Sequence, residues 1–152
     1  MPVPRKYSPE ATRQKLLAWA DRRERCHRDV REKLEAWGIP YREREELISW
    51  LISLNALNEQ RYALAFASDH ARFQRWGAKK IIAALRARGI SDYIITKVQQ
   101  SMDPEEEMAS IRNLAEKKRL TLKEKDPAVQ RHKIAQYLIR KGFEPEKVWR
   151  LL

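Results

Sequence analysis

IIAALRARGI, from Ile81 to Ile90, is an apolar helical stripe that ends on a glycine followed by an isoleucine. The same grammar occurs in VREKLEAWGI from Val30 to Ile39 and in IAQYLIRKGF from Ile134 to Phe143. Counting back eight residues from Gly38, Gly89 and Gly142 gives Val30, Ile81 and Ile134; counting back four gives Leu34, Leu85 and Leu138. Positions spaced in this way fall on one face of a helix, so each segment turns that stripe inward. The glycine then ends the helix in a left-handed turn, and Ile39, Ile90 or Phe143 folds back onto its last turn. A unit recurring about every fifty residues is the mark of a repeat architecture.

The pattern extends on both sides of these helices. Downstream, Leu47, Ile48 and Leu51 correspond to Ile94, Ile95 and Val98, and to Val148, Trp149 and Leu152, with the same one-then-three spacing. Upstream, Ser8, Asn58 and Asp103 each offer a side-chain acceptor to the free N–H groups of a helix start, with acidic residues or proline in the first turn. These starts predict helices from Ser8 to about Asp21, Asn58 to about Phe73, and Asp103 to about Arg119. Leu16 with Trp19, Tyr62 with Phe66, and Met108 with Ile111 and Ala115 are expected on their inner faces. The fold class is therefore all-α, with three tandem three-helix repeats forming an elongated array over 8–52, 53–102 and 103–152. Units this small bury too little surface to stand alone, so neighbours should touch. Residues 1–7 read as a flexible basic tail, and LTLKEKDP, Leu120 to Pro127, as a mobile connection.

The bulk properties agree with this reading. Hydrophobic residues make up 43% of the 152, charged residues 35%, and only four glycines are present. The net charge of +11 favours an anionic partner. Twelve basic residues face nine acidic ones in 1–52, eight face three in 53–102, and twelve face nine in 103–152, so the middle unit is the most one-sided. The single Cys26 cannot form an internal disulfide and fits a reducing compartment. His27, His70 and His132 lie far apart without ligand-spaced companions, so neither a metal nor another cofactor is expected. With no apolar span and no secretory leader read at the N-terminus, the expected location is the cytoplasm, away from membranes.

The stretch from Leu54 to Ile90 resembles the central repeat of the RecX family of recombination regulators. The opening is Leu57-Asn58-Glu59-Gln60-Arg61-Tyr62-Ala63, followed by Phe66, Phe73, Trp76-Gly77, Ile81, Leu85 and Gly89-Ile90. The flanking units are similar to the first and third repeats of that family, and the resemblance covers about Ala11 to Leu152. One departure is Trp37, which stands before Gly38 where the other units carry the basic Arg88 and Lys141. The resemblance implies a non-enzymatic monomer that lies in the groove of the RecA filament on DNA. It implies that the ATPase, strand-exchange and coprotease activities of the filament are limited, with effects on recombination, repair and the SOS response. DNA could be touched directly or through RecA.

Arg72, Arg75, Lys79 and Lys80 cluster around Trp76-Gly77, with Arg86 and Arg88 farther along, and these six form the candidate contact face for RecA or DNA. The bland alternative for each is that it solvates its helix. Trp19, Trp50 and Trp149 are expected to pack, while Trp76 interrupts a basic run and could lie at the surface. Lys117, Lys118, Arg119, Lys123 and Lys125 form a lesser basic patch, offset by Glu116, Glu124 and Asp126. The competing function is a direct DNA- or RNA-binding helical module. No nucleophile and base pair, phosphate loop or metal set is legible, so no catalytic residues are expected. The acidic run Glu105 to Glu107 sits at a helix start, where it offsets the dipole.

Overall fold

The computed structural model describes residues 3–152. Among them are nine α-helices and one π-helical turn. The first repeat holds α1 (Pro9–Asp21), α2 (His27–Ala36) and α3 (Tyr41–Ser53). The second holds α4 (Glu59–Asp69), the π-helical turn (His70–Gln74), α5 (Ala78–Ala87) and α6 (Asp92–Ser101), and the third holds α7 (Pro104–Thr121), α8 (Pro127–Arg140) and α9 (Pro145–Leu151).

Each repeat has its own core, built on the stripe read from the sequence. Val30 and Leu34 are fully buried with Ile39 and Leu51 in the first, Ile81 and Leu85 with Val98 in the second, and Ile134 and Leu138 with Phe143 in the third. The middle helices end as their glycines demand, with φ of 71° at Gly38, 80° at Gly89 and 103° at Gly142. Just beyond each glycine, Ile39, Ile90 and Phe143 donate backbone N–H groups to Leu34, Leu85 and Leu138 over 3.0, 3.1 and 3.2 Å. Carbonyls that would otherwise be left without donors are thereby satisfied. The helix starts also follow the sequence: Ser8 accepts from Ala11, Asn58 from Arg61 and Asp103 from Glu105.

Several expectations are corrected. The long helix of the second repeat stops at Asp69 and passes into the π-helical turn, which ends at Arg75 in the left-handed region with φ of 57°. Tyr62 and Phe66 do pack against the second core as expected, half-buried, while Ala63 and Ala67 are the residues of α4 enclosed within it. In the third repeat the match at the last helix fails at one position: Val148 is fully buried, whereas Trp149 is 37% exposed, with Arg131 and His132 against its ring. Leu151 and Leu152 both pack against this core.

The segment expected to be a flexible tail is ordered by specific contacts from Val3 to Tyr7. Lys6 N–H donates to the Trp37 carbonyl over 2.9 Å, Arg5 holds both carboxylate oxygens of Glu43, and the Tyr7 ring meets Trp37 edge-on at 5.2 Å. Trp37, in place of the basic residue of the other repeats, is thus the anchor for this strap. Met1 and Pro2 lie outside the described residues. The connection after α7 is also tied down, since Glu124 accepts the backbone N–H groups of Lys125 and Asp126 while its carbonyl accepts from Gln130.

The repeats are joined by the ends of their middle helices. At the start of α5, Gly77 and Lys79 donate N–H groups to the Lys141 and Gly142 carbonyls, over 2.7 and 2.9 Å, just past the end of α8. At the start of α2, Arg28 donates to the Ala87 carbonyl at the end of α5, and Asp29 pairs with Arg88. The positive end of one helix dipole therefore meets the negative end of the next, at both junctions. Cys26 belongs by packing to the second core, and Glu24 bridges to Arg61 at 2.9 Å.

Candidate basic contact face

The candidate face is built where α4 gives way to α5. The π-helical turn links the two helices, and at its start the His70 ring donates from Nδ1 to the Phe66 carbonyl over 2.8 Å. Phe66 and His70 stack at 3.8 Å between centroids, and Trp76 closes the pile 4.5 Å from His70. Trp76 is therefore a half-buried lid on this pile, and its remaining face carries Lys80, whose Nζ lies 4.6 Å from the ring centroid.

The six sequence-derived residues do not all share a role. Arg72, Arg75, Lys79 and Lys80 are exposed and surround the Trp76-Gly77 bend, and none of them enters an ion pair among the described residues. Unpaired surface cations that already sit close together are suited to an anionic surface, because binding relieves their mutual repulsion. Arg86 is exposed on the outer side of α5 and forms a loose pair with Asp92 at 3.7 Å, which is screened and contributes little.

Arg88 is corrected. Its guanidinium holds Asp29 and lies 3.5 Å from Glu32, so it binds the first repeat to the second and does not belong to the contact face. Burial pushes its pKa down, but Cys26, Asp29 and Glu32 together outweigh this and hold it above the ordinary value. Beside it, burial pushes the Cys26 thiol up, and Tyr62 is raised to about 12 by burial and by the neighbouring Cys26 and Asp29.

Two residues join the face that the sequence reading left out. Lys141, from the third repeat, reaches across to the Gln74 carbonyl over 2.7 Å, and burial together with the charge of Lys80 lowers its pKa. Phe73 projects into solvent at 78% exposure between Arg72 and Arg75 in sequence. The lesser C-terminal patch is more self-contained: Arg119 pairs with Glu116 at 2.7 Å and Lys118 covers the Tyr137 ring.

Among the described residues no cluster of His, Cys, Asp and Glu could hold a metal ion, and no helix is long and apolar enough to cross a membrane.

Comparison with known proteins places this geometry in context. A family model of the third three-helix domain of RecX matches residues 105–152, and one of the second three-helix domain matches residues 58–98. The regulatory protein RecX of Clostridium perfringens strain 13 is 30% identical over 122 residues, covering 79% of this chain and 57% of the relative. That of Pelodictyon phaeoclathratiforme is 27% identical over 120 residues, covering 79% of this chain and 73% of the relative. The chain thus spans little more than half the length of the clostridial protein. A crystal structure of RecX from Lactobacillus salivarius superposes with a TM-score of 0.84 at 23% identity, covering 93% of this chain and 92% of that one. Another crystal structure of a regulatory protein RecX gives 0.85 at 20% identity, covering 93% and 71%. These two likenesses establish the fold, a helical repeat array.

Proposed function

The chain belongs to the RecX family, and from that premise we propose that it is a regulatory protein that binds the RecA filament on DNA and limits its ATPase, strand-exchange and coprotease activities. The protein acts in this reading as a cytoplasmic monomer without a cofactor, affecting recombination, DNA repair and the SOS response.

The observation that carries the reading is the way the repeats are coupled. Because α2, α5 and α8 meet end to end, three small cores behave as one extended body. An extended body can engage several successive subunits of a helical filament, gaining affinity from each without a large interface on any one. A modulator of this kind needs no catalytic group; it acts by favouring one state of the filament over another. The unpaired cations of the second repeat supply attraction toward a nucleoprotein whose net charge is negative.

The test is the DNA-dependent ATPase of RecA. Substoichiometric amounts of the purified chain should slow hydrolysis by preformed filaments, and no slowing under those conditions would overturn the proposal.

A second reading, direct binding of DNA or RNA, is favoured by the freedom of Arg72, Arg75 and Lys79 from ion pairs. Tight binding to nucleic acid without RecA, lost on changing Lys79 and Lys80, would put this reading first.

A further inference from the structure

Beside the basic face lies a cleft of about 510 Å³ between the second and third repeats. Its volume is within the usual range for pockets that take a ligand. The floor is apolar, made by Ala67, Ile81 and Phe143, which are buried, with Leu64 and Met102 half-buried around them. Its two walls differ in sign. Arg72 and Arg75 stand on the side of the π-helical turn, and Asp103, Glu106 and Glu107 stand opposite on the first turn of α7.

Glu107 is incompletely satisfied. Its Oε2 accepts from Lys147 Nζ over 3.1 Å, while Oε1 is buried without any hydrogen-bond partner. A carboxylate oxygen left in that condition is costly. Arg72 and Arg75 have no carboxylate partner on the opposite wall, so they are open to a ligand group.

The division of charge selects the class of occupant. A nucleic acid strand drawn in by the two arginines would bring its phosphates against the carboxylates of the α7 wall, at a cost in repulsion. A purely acidic or purely basic peptide would meet one hostile wall. A polypeptide segment with apolar side chains set between a basic and an acidic residue satisfies the floor and both walls together. Helix-in-groove recognition has this form.

We infer that the cleft is the docking site for such a mixed-charge, apolar-centred segment of the protein component of the filament, whereas the exposed cations around Lys79 face the nucleic acid. This rests on the RecA-filament reading and refines it by dividing the surface between two kinds of contact.

The experiment measures binding of the full chain to RecA filaments assembled on single-stranded DNA, and to bare single-stranded DNA in parallel, with Glu106→Lys, Arg72→Glu and Asn113→Trp. Glu106 and Arg72 are exposed, and Asn113 lies on the exposed side of α7 at the cleft, so the variants should keep their helical circular dichroism. All three should weaken filament binding at least tenfold. On bare DNA, Glu106→Lys should bind more tightly than the wild type. Tighter filament binding by Glu106→Lys would mean that nucleic acid occupies the cleft and would overturn the inference, as would filament binding by all three variants equal to the wild type. A wild-type chain that does not bind the filament at all would remove the RecA reading and this inference with it.

Discussion

The α-carbon of Gly77 faces the backbone of Gly142 so closely that a Cβ at Gly77 would overlap the Gly142 carbonyl carbon and the Phe143 nitrogen. The absence of a side chain at Gly77 is what lets the end of α8 cap the start of α5. Since Gly77 has φ of −80°, ordinary for any residue, the requirement is one of space alone. Gly89 is the reverse case, with φ of +80° and nothing within 4 Å of an added Cβ. Gly77→Ala should cost about 3 kcal/mol through overpacking, and Gly89→Ala only about 1 kcal/mol through backbone strain. Urea denaturation of the two variants checks this; an equal or smaller loss for Gly77→Ala would show that the junction yields.

How much of this was open to the sequence differs with the range of the interaction. The helix ends were legible because glycine, the following apolar residue and the stripe four and eight positions back are all local. The junction at Gly77 was not, since it is made of backbone groups and leaves no side-chain pattern to read. Arg88 was misassigned because its partner Asp29 lies 59 positions away. At Trp149 the segment VWRLL offers two neighbouring apolar residues for one inward position, and only packing chooses Val148 over Trp149. The basic cluster at Arg72 to Lys80 was visible as composition, while its acidic counterpart across the cleft belongs to another repeat and had been explained by the helix dipole alone.

The pair of Arg88 with Asp29 should behave as a structural link. Its partners are only 30% and 19% exposed, and Asp29 also accepts the Cys26 N–H over 3.1 Å. Arg88→Ala should lower stability by about 1.5–3 kcal/mol, as expected for a charge-assisted hydrogen bond that is partly withdrawn from water. A double-mutant cycle with Asp29→Ala should return a coupling energy of about 1 kcal/mol. Strict additivity would mean that the two side chains act independently.

The same junction predicts a response to alkali. Folding raises the pKa of Tyr62 from 10.0 to about 12 and pushes the Cys26 thiol above its ordinary 9.0. Both groups hold their protons more tightly in the folded chain than in the unfolded one, so stability falls as pH rises. The contribution is complete below about pH 9 and is lost as the pH climbs toward 12, first through Cys26 and then through Tyr62. Denaturant midpoints measured from pH 8 to 12 should show this decline, and Tyr62→Phe should flatten its upper part. A decline of unchanged steepness in that variant would rule Tyr62 out as its source.

The cations of the second repeat should separate by salt dependence. Lys79 and Arg75 are exposed and unpaired, whereas Arg88 is engaged with Asp29 and Glu32. A lysine or arginine that neutralises a phosphate displaces a counterion from single-stranded DNA, so its removal lowers the slope of log affinity against log salt by about 0.7. Lys79→Ala should lower the slope by about that amount, whereas Arg75→Ala, on the wall of the cleft, should change it less. Arg88→Ala, compared at a temperature where it remains folded, should leave the slope unchanged even if it lowers the affinity. The contrast matters because both kinds of variant could weaken binding, one by removing a phosphate contact and the other by loosening the two repeats. A slope changed by Arg88→Ala but not by Lys79→Ala would reverse the assignment and place the nucleic acid at the junction of the first and second repeats.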